Sequence, residues 1–128
     1  MGIRKDWQDH KKDFKKKAGK EFKLKGDFGP VLDKAEIAMN AVEKAKGQND
    51  RAKLAAIKQK ALPHIKAAQK TGANYMKVIS MANNAAEKEA KQNKKDQEKQ
   101  AYAKAMRVLM SDSMNIVNRL NSWSKKCS

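Results

Sequence analysis

Ile3, Trp7, Phe14, Ala18 and Phe22 stand 4, 7, 4 and 4 residues apart. That spacing returns repeatedly to one face of an α-helix. Drawn end-on at about 100° per residue, the five fall within a sector of about 100°, a core-facing stripe. The gap in the series falls at His10 or Lys11. The rest of the chain repeats the helical period. It contains no alternating Val/Ile/Thr run and no Asn-Gly hairpin signal, so an all-α fold is expected.

Local punctuation divides this pattern into a bundle of four to five helices. The first is expected over about 3–25, closed by the turn Gly26-Asp27-Phe28-Gly29-Pro30. The second is expected over 30–46, with Leu32, Ala35, Ala38, Met39, Val42 and Ala45 inside and Gly47 as its C-terminal cap. A third, over 50–71, starts at Asn49 or Asp50, kinks or breaks near Pro63 and stops at Thr71-Gly72. A fourth, over 73–95, begins at Asn74. The fifth, over 98–124, carries Tyr102, Ala105, Met106, Leu109, Val117, Leu120 and Trp123 on one stripe, with Met110 and Met114 on its flank. Residues 87–100 hold one alanine and no larger apolar residue, and read as a helix extension into solvent or a polar connection.

Composition limits the core this pattern can build. Leu, Ile, Val and Phe supply only 20 of 128 residues, and the net charge is +16. That combination usually accompanies disorder. Nineteen alanines and seven methionines oppose it, because alanine favours helix and lets helices approach closely. One domain with a thin Ala/Met-rich core is the expectation.

Several function classes lose support on inspection. No run of 18 apolar residues suggests a membrane span, and no signal-peptide pattern is visible, so a cytoplasmic or intravirion location is the default expectation. Met1 and Gly2 open like a myristoylation signal, but Asp6 stands where that motif has Ser or Thr. Cys127 is the only cysteine; it permits no internal disulfide and no cysteine-built zinc site, and an exposed thiol without a role is expected. The two histidines are His10 and His64. No Gly-rich phosphate loop, G-x-S-x-G, H-E-x-x-H or E-x-x-H motif accompanies them. A phosphotransfer histidine carries Lys three residues later and then Gly; after His64 those places hold Ala67 and Ala68. His64 therefore reads as a helix-kink or boundary residue beside Pro63. No catalytic residue, metal or cofactor is expected, and the chain is not read as an enzyme.

The basic charge is sorted rather than random. On the first helix Lys5, Lys12, Lys16 and Lys23 share a sector of about 40°, with Asp6, Asp9 and Asp13 in a strip beside them. A ridge of that length would run ~27 Å at 1.5 Å per residue. Several Asp–Lys pairs at i,i+3 and i,i+4 would equally suit a plain solvated face. Lysine outnumbers arginine 26 to 4, which favours phosphate contacts over base-edge reading. The candidate phosphate contacts are Lys5, Lys12, Lys15, Lys16, Lys20, Lys23, Arg107 and Arg119. The expected function is sequence-nonspecific binding of nucleic acid, DNA or RNA, through its phosphate backbone. A structural or adaptor module working by protein contacts, such as a virion or assembly component with an acidic partner, is the alternative. Binding of an anionic membrane surface by the first helix is the third reading. A thin core also allows self-association or a partner chain.

Overall fold

The computed structural model describes residues 2–18, 21–23 and 28–128. Among them four helices and no strands occur: α1 (Ile3–Ala18), α2 (Phe28–Lys46), α3 (Arg51–Gln92) and α4 (Gln97–Cys127). The chain is all-α, as the periodicity implies. Between α2 and α3, Gly47 and Gln48 donate back to Lys44 and Ala45. Asn49 then takes a positive φ of 54°, a conformation that asparagine tolerates better than most residues. Asp50 caps α3, its carboxylate accepting from the Lys53 amide at 3.0 Å.

The helices run alternately up and down. Gly72 of α3 lies under Phe28 at the start of α2, while Ile57 and Ala61 face Ala38 and Ala41 further along it. Along α3 and α4, Gln100 donates to the Ala90 carbonyl at 2.7 Å, Ser113 approaches Met76, and Gln69 donates to Asn121 at 2.9 Å. Helix α1 closes the remaining side against α2 and α4. Its first turn meets α2, where the Ile3 amide donates to Glu36 at 2.7 Å and Arg4 pairs with Asp33. Further along, Asp6 and His10 meet Arg119 and Leu109 of α4.

Two expected boundaries are absent. Residues 51–92 form one helix, so neither Thr71-Gly72 nor Asn74 ends or starts an element. Gly72 is buried in mid-helix, where a Cβ would stand 3.2 Å from the Phe28 ring and 3.4 Å from Val117. Glycine is there for close approach, and tertiary packing overrides its low helix propensity. Pro63 lies inside the helix too. It has no N–H for the Gln59 carbonyl, but both residues are on the exposed face, where water can satisfy that oxygen.

Among the described residues helix α1 spans Ile3–Ala18; Lys25 and the expected turn at Gly26-Asp27 lie outside them, while Phe28, Gly29 and Pro30 already belong to α2. Glu21 and Phe22 turn back onto the Ala18 carbonyl at 3.2 and 2.9 Å, and Phe22 and Lys23 are not helical. The polar stretch 87–100 supplies the end of α3, a short turn and the start of α4. Asn93 closes α3 and Asp96 caps the Glu98 and Lys99 amides.

The core centres on an aromatic cluster. Trp7, Phe28 and Tyr75 meet with ring centroids 4.1 to 5.9 Å apart, edge-on or tilted. Ile65, Ile79, Met106 and Leu120 extend it, and several alanines of α2 and α3 are buried with them. Met39 and Met106 are buried, whereas Met81 and Met114 are exposed. Cys127 is buried rather than exposed, its sulfur 3.9 Å from that of Met39. Burial pushes its thiol pKa up, against the pull of Lys58 and Lys46.

Candidate polyanion interface

Helix α1 buries Ile3, Trp7, His10, Phe14 and Ala18, which turns Lys5, Lys12, Lys15 and Lys16 outward. The ridge expected on this helix is shorter than its sequence spacing suggests. Lys23 lies beyond the helix end and does not continue it, although its side chain is exposed. Lys20 lies outside the described residues. What remains on α1 is Lys5, Lys12 and Lys16, ~17 Å from first to last. The Asp–Lys pairs that the spacing allowed do not form; the α1 carboxylate that does pair is Asp6, and its partner is Arg119 of α4.

The arginines act differently from the lysines. Arg119 pairs with Asp6 between α4 and α1, and Arg107 with Glu87 at 2.6 Å between α4 and α3. Arg4 pairs with Asp33 between α1 and α2. A guanidinium fork suits a carboxylate. Arg107 and Arg119, expected at phosphates, pair in this structure with carboxylates of neighbouring helices. Among the described lysines, only Lys46 and Lys99 reach a carboxylate, Glu43 at 3.7 Å and Glu89 at 3.0 Å. The rest of the lysine charge is uncompensated by a close partner.

Helix α3 concentrates this imbalance. From Arg51 to Ala86 it contains no acidic residue. Its two acids, Glu87 and Glu89, are both paired with α4 side chains. Lys66, Lys70, Lys77, Lys88 and Lys91 are all exposed along its length. None of these was singled out by the spacing on the first helix. Their alignment is visible only when 51–92 is taken as one helix.

Acidic groups collect elsewhere. A groove of about 310 Å³ between α1 and α4 is lined by Asp6, Asp9, Asp13, Asp112 and Arg119, with His10 at its floor. His10 is buried between three helices. Its Nε2 lies 2.5 Å from the Leu109 carbonyl, and its Nδ1 meets the Tyr75 hydroxyl. A carbonyl only accepts, so Nε2 carries the proton and Nδ1 accepts from Tyr75. Burial lowers the His10 pKa, opposed by the Leu109 bond and by Asp112 and Asp13. Burial raises the Tyr75 pKa far above its ordinary value, which keeps the phenol a donor. Both groups are thus committed to holding α1, α3 and α4 together.

His64 is exposed on α3, in a groove of about 390 Å³ against α2 lined by Ile37, Ala41, Ile57 and Lys60. It follows Pro63 within α3 and does not stand at a helix boundary. Among the described residues no group of three His, Cys, Asp or Glu side chains could hold a metal ion. Nor is any helix among them long and apolar enough to cross a membrane. No protein-family model, curated protein or solved structure matches the chain.

Proposed function

We propose that the protein binds a polyanion without catalysing a reaction, nucleic acid first, through lysines on its surface. The observation that carries this reading is the division of labour among its cations. Three of the four arginines are held in ion pairs between helices, while nearly all described lysines stand without a carboxylate. Such unpaired charge repels itself, and a phosphate backbone relieves the repulsion. Lysine meets phosphate as a point charge, so sequence preference is weak and salt dependence strong. The reading treats residues 1–128 as one domain with a thin core of Ala and Met among larger residues.

The test is binding of random-sequence DNA and RNA at about 50 mM salt, where a multi-phosphate binder is near its tightest. Absence of binding there removes the proposal. A second reading, an adaptor that works by protein contacts, draws on Ile37, 69% exposed beside the α2–α3 groove, and on exposed Val108 and Met114. Capture of a defined protein partner by a chain that ignores nucleic acid would favour it. Preference for anionic over neutral vesicles would favour a membrane surface instead.

A further inference from the structure

The continuity of α3 places its exposed lysines in register. Lys66, Lys77 and Lys88 are separated by eleven residues each time, three turns of helix and ~16.5 Å. Lys70 and Lys91 fall one turn beyond the first and last of them. All five lie within a sector of about 60° at 100° per residue. The ridge runs ~38 Å. It begins after Pro63, so it lies clear of the one position where the hydrogen-bond ladder is interrupted.

Among the described residues no carboxylate forms an ion pair with any of the five, although Glu87 stands at i,i+4 from Lys91. Glu87 and Glu89 flank the ridge and are turned to Arg107 and Lys99 of α4. Lys66 and Lys70 stand at i,i+4, and Lys88 and Lys91 at i,i+3, like-charge pairs that oppose helix formation. An ordinary solvated face alternates its signs to avoid this cost; from Arg51 to Ala86 α3 does not.

The spacing has a counterpart in duplex geometry. A straight rod laid along a duplex passes a phosphate strand twice per turn of about 34–36 Å, hence about every 17 Å on average. The lysine groups recur at nearly that interval. The ridge also lacks aromatic side chains on which unpaired bases would stack: the one aromatic residue of α3, Tyr75, is buried. Its helix has its apolar face inside the bundle, which leaves no face to enter a membrane.

We infer that Lys66, Lys70, Lys77, Lys88 and Lys91 form the contact surface for double-stranded nucleic acid, α3 lying along the duplex with its lysine groups on successive backbone crossings. This inference rests on the polyanion binding proposed above and names its surface and its substrate class. The α1 lysines, on the far side of the bundle, are then a secondary field.

The test uses fluorescence anisotropy of the full chain with a random 24-base-pair duplex and a 24-nucleotide single strand, from 50 to 200 mM salt. Replacing all five lysines by Gln lowers the log–log salt slope for the duplex by about 4.5, at ~0.9 per phosphate contact. Lys77→Gln alone, a single exposed substitution, lowers it by about 0.9. Replacing Lys5, Lys12 and Lys16 changes it little. If the α3 variants keep the wild-type slope while the α1 variant loses it, the ridge is refuted and polyanion binding stands. If the single strand binds as tightly as the duplex, the duplex assignment is refuted. If the wild-type chain binds no nucleic acid at 50 mM salt, both the inference and the reading beneath it fail.

Discussion

Replacing Tyr75 with Phe isolates one hydrogen bond at the centre of the bundle. The ring, its contact with Trp7 at 4.1 Å and its burial all survive the change. Only the hydroxyl goes, and with it the donor to His10 Nδ1. His10 is 4% exposed, so water does not replace that donor without a cavity. An orphaned buried acceptor costs about 1–3 kcal/mol. For a domain of this size each kcal/mol corresponds to roughly 3–6 °C in melting temperature. Urea titration followed by circular dichroism at pH 7.5 reads the loss directly, with the slope against urea unchanged. The same histidine sets a pH dependence. Its folded pKa lies below the ordinary value, so the unfolded chain takes up a proton first as pH falls. The stability that neutral His10 supplies is complete above about pH 6.5 and is lost as pH falls through its folded pKa. His10→Gln, which cannot titrate, flattens the curve in that window. Tyr75→Phe with an unchanged urea midpoint, or a wild-type stability flat from pH 7 to 5, would refute the buried-pair reasoning.

Other expectations follow from single contacts. Gly72→Val drives branched carbons toward the Phe28 ring, already 3.2 Å from the Cβ position, and overpacking of this kind costs about 1–3 kcal/mol in a thermal melt. Asp50→Ala removes the acceptor for the Lys53 amide and lowers stability by about 0.5–2 kcal/mol in the same urea assay, whereas Asp50→Asn retains most of it. Cys127 is 5% exposed, so it reacts with a thiol reagent much more slowly in native buffer than in urea; equal rates would contradict its burial.

The parts of the fold legible in the sequence are those fixed by period. Ile3, Trp7, Phe14 and Ala18 share a face by spacing alone, and all four are buried. The missing member of that stripe is His10, a polar residue in an apolar register; its role depends on Tyr75 and Leu109, 65 and 99 residues away, which local spacing does not reveal. Gly72 misleads because glycine stops a helix by default. Here Phe28 lies over it, and the residue that reads as an end is the point where α2 docks on α3. That one misreading hides the functional candidate, because dividing the helix at 72 separates Lys66 and Lys70 from Lys77, Lys88 and Lys91. The expected extension through Lys23 fails for the opposite reason: lysine and phenylalanine keep a helical period past the point where Phe22 folds back toward Ala82, Ala86 and Tyr102. The arginines are unreadable in kind, since a guanidinium faces phosphate or carboxylate equally well and only the fold sets Asp6 and Glu87 beside Arg119 and Arg107.

The central claim is that uncompensated lysines bind phosphates, and the salt dependence of duplex binding tests it most directly. With about five phosphates engaged, the logarithm of the association constant falls against the logarithm of salt with a slope near −4.5. A slope near zero, or no binding at about 50 mM salt, would contradict the account.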